Sequence, residues 1–138
     1  MFNVCIAVVD ASHGRLFCYT TDGVKETLVE GDTLENEHHS VAALAANDHL
    51  ARRQAQSEVD FARFVLARLR ELGDEHGAER LIVCAAPRML GHLRASCHGI
   101  LRTEQQLTEV ARDFANLTPH ELRTQLAARH VLPLVLAQ

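Results

Sequence analysis

The spacing of apolar residues changes several times along the chain, and each change predicts an element. Phe2 to Val9 is nearly all apolar and rich in β-branched residues, the pattern of a strand buried on both faces. Ala11-Ser12-His13-Gly14 follows as a short turn, with Gly14 available for a positive φ angle. Arg15 to Thr20 predicts a second strand, Asp22-Gly23 a two-residue hairpin loop, and Val24 to Glu30 a third strand that Gly31-Asp32 ends.

Residues 33–56 carry no sustained apolar stripe; Ala-rich from Ala42 to Ala46 and otherwise polar, they predict a loop with some helix. From Ser57 the period becomes helical. Phe61, Val65, Leu69 and Leu72 recur on one face, Ser57 with Asp60 supplies an N-terminal signal, and Gly73 a stop. Leu81 to Ala86 predicts a short strand, and Pro87 opens a helix through Met89, Leu90, Leu93 and Cys97 to Gly99. Gln105 to Ala111 fits a fifth strand, and a helix nearly as well. Thr118 as N-cap, Pro119 at the first helical position and Glu121 closing a capping box predict a last helix to about Arg129. The apolar tail Val131 to Leu136 is broken by Pro133, which suits an edge or a partner.

Hairpins place the first three strands side by side, and a right-handed crossover returns the fourth parallel to the first. The predicted class is α/β: a mixed five-stranded sheet of order 3-2-1-4-5 flanked by helices. Asp10 and Arg88 then lie near one sheet edge, beyond the ends of adjacent parallel strands, where open α/β sheets bind ligands.

A length of 138 residues fits one domain over 1–138, and 47% apolar with 23% charged residues excludes wholesale disorder. The net charge of −4 argues against a surface wholly given to nucleic acid or membrane. The charge is uneven: residues 1–79 sum to −7 and residues 80–138 to +3, so an anion site is expected in the second half. No stretch approaches the roughly 18 apolar residues of a membrane helix, and Met1 to Val9 lacks the basic start and cleavage site of a signal peptide. Cys5, Cys18, Cys84 and Cys97 are scattered, as free thiols in a reducing compartment would be. A cytoplasmic protein without membrane insertion is expected.

Four segments carry a resemblance: Asp10-Ala-Ser-His-Gly-Arg-Leu-Phe17, Glu58-Val-Asp-Phe-Ala-Arg63, Arg80-Leu-Ile-Val-Cys-Ala-Ala-Pro-Arg-Met-Leu-Gly-His-Leu-Arg94 and Arg112-Asp-Phe-Ala-Asn-Leu-Thr-Pro-His-Glu-Leu122. Their order resembles the bacterial host attachment protein family over roughly residues 3–127. The resemblance implies a fold similar to the central domain of peptide-chain release factors, itself like a ribonuclease-H-type sheet. Members commonly carry an Arg/Gly/Pro-rich loop before the long helix, whereas residues 32–56 here are acidic and rich in His and Ala.

Asp10 sits where a ribonuclease-H-type nuclease places its first metal ligand, and such chemistry needs clustered carboxylates. Strand four ends instead at Pro87-Arg88, with Glu109 and Asp113 the other carboxylates in reach, so the plainer role of Asp10 is to fix its turn. Arg88, His92 and Arg94 lie on the helix opening at Pro87, whose free N–H groups favour an anion. Residues 88 and 92 share a face while 94 points elsewhere; the competing reading pairs Arg88 with a carboxylate such as Asp10. With Asp10 and Arg15 of the first motif, Arg88, His92 and Arg94 are the candidate ligand- or anion-binding residues. Asp10, Ser12 and His13 are too close on one turn to act as a triad. His38-His39 and His49 lack metal-ligand spacing, so no metal or other cofactor is expected. Aromatic residues are only 4% with no Trp, which disfavours a base-stacking platform.

The expected role is that of a non-enzymatic binding or adaptor protein with a protein partner, with homodimerisation through the apolar tail or a sheet edge. Two alternatives stand beside it. One is an RNA- or ribosome-associated protein using Arg88, Arg94, Arg102 and Arg112; the other is a divalent-metal-dependent nuclease or phosphohydrolase using Asp10.

Overall fold

Strand β1 (Phe2–Val9) is the centre of the computed structural model, which describes residues 2–37 and 48–133. It pairs antiparallel with β2 (His13–Thr21), which pairs antiparallel with β3 (Glu26–Glu35). Helix α1 (Asp48–His76) crosses to β4 (Arg80–Cys84), which lies parallel to β1 on its other side. Helix α2 (Pro87–Ile100) then leads to β5 (Gln106–Val110), parallel to β4, and α3 (Pro119–Ala128) follows. The order is β3-β2-β1-β4-β5, as the sequence pattern predicts.

Side chains alternate across the sheet because successive strand residues face opposite ways. Cys5, Ala7, Val9, Leu16, Leu81 and Val83 face α1 and α2, packing against Val65, Leu66, Leu69, Leu90 and Leu93. Val4, Ile6, Val8, Phe17, Tyr19 and Ile82 form the opposite face with Phe114 and with Leu122 and Leu126 of α3. Val4 to Val9 are therefore all buried, and the run of apolar residues in β1 is explained.

Three boundaries differ from the sequence reading. β3 starts at Glu26 and continues through Gly31-Asp32 to Glu35, because the register shifts there: Arg15 opposes Thr33 while Phe17 opposes Glu30. A bulge absorbs the extra residue without ending the strand. α1 begins at Asp48, well before Ser57, which is buried within the helix and is not its cap. The helix also passes Gly73 and stops at Gly77, whose φ of +64° takes the left-handed conformation. Ala78 N donates to Gly73 O at 2.8 Å and Gly77 N to Asp74 O at 3.4 Å, the double closure of a glycine-terminated helix.

Gly73 is small for a different reason: a Cβ there would stand 3.1 Å from Ala78 O and 3.2 Å from Leu81 Cδ2. Gly14 likewise does not use a positive φ angle; among the described glycines that belongs to Gly23 and Gly77. A Cβ on Gly14 would meet Val65 Cγ2 at 3.0 Å, so this glycine lets α1 approach β2 closely. The segment 105–111, open between strand and helix in sequence, is a strand. The capping box of α3 forms as predicted, with Glu121 N donating to Thr118 Oγ1 at 3.2 Å and Thr118 N to Glu121 Oε1 at 3.0 Å. His38, His39, the Ala-rich run 42–46 and tail residues 134–138 lie outside the described residues, as does the side chain of His49.

Candidate functional site at the strand ends

β1 ends at Val9, and the chain reverses through Asp10 to His13. Asp10 Oδ1 accepts hydrogen bonds from Ser12 N at 2.7 Å and His13 N at 2.6 Å, while Asp10 N donates to His13 O at 2.9 Å. The carboxylate thus holds the turn, the local role its position implies. The exposed His13 imidazole has Nδ1 3.7 Å from Asp10 Oδ1.

Beside this turn is a cavity of about 230 Å³ lined by Asp10, His13, Arg15, Thr33 and Asn116. Arg15 is a clamp within it. Its Nε and Nη2 donate to the two oxygens of Glu30 at 2.9 and 2.8 Å, and Nη1 donates to Leu117 O at 2.6 Å and Ala115 O at 3.0 Å. The guanidinium also lies 5.0 Å from the centre of the Phe17 ring. The hydrogen bonds with Glu30 hold the Arg15 pKa above, and the Glu30 pKa below, their ordinary values. Arg15 therefore ties β2 to β3 and to the loop after β5, with most of its donors already used.

α2 opens at Pro87 after Ala86, which makes no side-chain cap. Arg88 pairs with a carboxylate, as the competing sequence reading has it, but the partner is not Asp10. Its Nη2 donates to Glu58 Oε2 of α1 at 3.0 Å. His92 Nε2 approaches the other oxygen of Glu58 at 3.9 Å, so residues 88 and 92 do share a face, directed at one buried carboxylate. Arg94 points elsewhere and grips Glu109 of β5, Nε lying 3.0 and 3.1 Å from its two oxygens. Arg102 pairs with Asp74 at 3.0 Å.

The structure thus gathers Asp10 and Arg15 at one cavity, joins Arg88 and His92 at Glu58, and holds Arg94 apart. Glu58 was not a candidate in sequence. Its signal is its position three and seven residues before Phe61 and Val65, which places a carboxylate on the buried stripe of α1 and calls for a cationic partner. Among the described residues no three His, Cys, Asp or Glu side chains come together as a metal site, and no helix is long and apolar enough to cross a membrane.

Residues 5–126 match the family described as "Protein required for attachment to host cells". The chain belongs to this family. The match takes in the Asp10 turn, Arg15, Glu58, Arg88, His92 and Arg94 of this host attachment protein. No curated protein matches its sequence. Among solved structures, it is similar to the Aquifex aeolicus Ppx/GppA phosphatase in its type II variant, with TM-score 0.50 and 15% identity, over 79% of this chain and 36% of that one. A second Aquifex aeolicus Ppx/GppA structure gives TM-score 0.47 and 17% identity, over 79% of this chain and 35% of that one. The host attachment chain spans about a third of the length of these enzymes, and the likeness places its α/β sheet in the ribonuclease-H-like class.

Proposed function

We propose that this member of the host attachment family is a non-enzymatic binding module that presents the Asp10 end of its sheet to a protein partner. The observation that carries the reading is the use of the Asp10 carboxylate, which accepts two backbone N–H groups and so builds a rigid turn beside the Arg15 clamp. A two-metal hydrolase would instead need that carboxylate turned toward others around a common ion. The likeness to a Ppx/GppA phosphatase supports the fold, and activity does not follow from fold. The RNA-associated reading relies on Arg88, Arg94, Arg102 and Arg112, and the first three of these have a carboxylate partner within the chain.

The test is an activity screen with Mg²⁺ or Mn²⁺ on an aryl phosphate, polyphosphate and single-stranded RNA, comparing the wild-type chain with Asp10→Asn. Asparagine keeps an oxygen to accept the turn N–H groups, so the fold persists while the charge is lost. Equal background rates are expected. Metal-dependent turnover that disappears in Asp10→Asn would overturn the proposal. Binding of the RNA that weakens with salt and with Arg88→Ala would replace it by the RNA reading.

A further inference from the structure

Cys5 of β1 and Cys18 of β2 stand directly opposite each other in the antiparallel pair. Which kind of opposition this is follows from the turn. Asp10 N donates to His13 O, which puts residues 10 and 13 at a hydrogen-bonded position. Opposed pairs alternate along the ladder, so Val9 with Gly14 is non-hydrogen-bonded, Val8 with Arg15 hydrogen-bonded, and Cys5 with Cys18 non-hydrogen-bonded. At such positions Cα atoms are about 4.5 Å apart and side chains are at their closest. That separation lies inside the range of about 4.4–6.8 Å that a disulfide spans.

Both thiols face the α1 side of the sheet. Cys5 is buried, whereas Cys18 is only partly covered. Burial first, and then the neighbouring Cys18 sulfur, push the Cys5 thiol up to about 12; burial raises Cys18 above its ordinary value as well, with Cys5 acting in the opposite direction. Cys18 is thus the sulfur that solvent and an oxidant reach first, and the thiolate that forms there is the attacking species in oxidation.

We propose that Cys5 and Cys18 form a dithiol site that closes to a cross-strand disulfide on reaction with a peroxide. The Cys18 thiolate attacks one oxygen of hydrogen peroxide; the S–O bond forms, the O–O bond breaks, and hydroxide leaves to take up the proton released by Cys18. The sulfur of Cys5 then attacks the Cys18 sulfenic sulfur, its proton passing to the departing hydroxide, so a second water forms with the S–S bond. Two thiols give up two electrons and one peroxide takes them. Cys84, deep in the opposite face, and Cys97, on α2, have no cysteine opposite them in the sheet register.

The experiment treats the native folded chain with hydrogen peroxide, blocks remaining thiols, and maps tryptic peptides by mass spectrometry. A linked pair of peptides 1–15 and 16–25 is expected, with the count of reactive thiols in denaturant falling from four to two and returning to four with dithiothreitol. Cys5→Ser leaves Cys18 as a sulfenic acid that a dimedone probe captures, and Cys18→Ser leaves Cys5 reduced. Recovery of both Cys5 and Cys18 as thiols under conditions that oxidise Cys97, or a disulfide to Cys97 in their place, would overturn the proposal.

Discussion

Replacing Arg15 by alanine removes a side chain that joins β2, β3 and the loop after β5. It deletes two charge-assisted hydrogen bonds to Glu30 and leaves the Ala115 and Leu117 carbonyls without their donor. Charge-assisted bonds contribute about 1.5–3 kcal/mol each when shielded. Arg15 is 18% and Glu30 30% exposed, so solvent screens part of that. With the carbonyls and the packing on Phe17 included, Arg15→Ala is expected to cost about 3 kcal/mol, and Arg15→Lys about half, because an ammonium keeps the charge without the fork. The assay is urea unfolding followed by circular dichroism. At a slope of about 2 kcal/mol per molar urea, the midpoint of Arg15→Ala falls by about 1.5 M.

The same pair gives a pH dependence of fixed sign. Because Arg15 depresses the Glu30 pKa below its ordinary 4.5, the unfolded chain binds that proton more readily than the folded one. The stabilisation is complete above pH 4.5 and is lost as the pH falls through the lower, folded-state value. The gap between wild type and Arg15→Ala is therefore widest near neutrality and narrows under acid, down to the part owed to the two carbonyls. A midpoint unchanged within about 0.3 M would refute the clamp. A gap that does not narrow below pH 4.5 would refute the assignment to Glu30.

Gly14→Ala places a Cβ 3.0 Å from Val65 Cγ2 and is expected to cost about 1–3 kcal/mol, part of it recovered when Val65 is also cut to alanine; unchanged unfolding midpoints would rule out the close approach. Arg88→Ala leaves Glu58, 7% exposed, with only the more distant His92; as Arg88 is itself 66% exposed, the loss is expected to be about 1 kcal/mol. In a cycle with Glu58→Gln, the two changes should cost about 0.5–1 kcal/mol less together than their sum, and strict additivity would mean that the pair does not form.

The sheet order was legible because β-strand runs, a hairpin signal and a helical crossover leave few topologies open. The extent of β3 was not, because a bulge at Gly31-Asp32 looks in sequence like a strand end. Three glycines illustrate the same limit. Gly14 and Gly73 are small so that a neighbour can approach, while Gly77 takes a left-handed conformation; composition is identical and only tertiary context separates the roles. At the site, the Asp10 turn was readable since its partners lie two and three residues away. The partners of Arg15 lie 15, 100 and 102 residues away and those of Arg88 lie 30 away, beyond any local pattern.

The uneven charge of the two halves finds its physical meaning in these distant pairs. The basic second half predicts an anion site, yet Arg88 meets Glu58, Arg102 meets Asp74 and Arg123 lies 2.7 Å from Glu26, so basic residues of the second half neutralise acidic residues of the first. The −7 and +3 of the separate halves are thus joined in the fold as neighbouring opposite charges. Such pairs leave little long-range potential to steer a polyanion, since fields of opposite sign a few ångströms apart cancel within a Debye length of about 8–10 Å. A partner approaching the Asp10 end of the sheet meets fixed groups of both signs at set positions. Recognition on such a surface depends on matching that geometry, with charges of each sign meeting their opposites at set positions and like charges penalising a wrong partner.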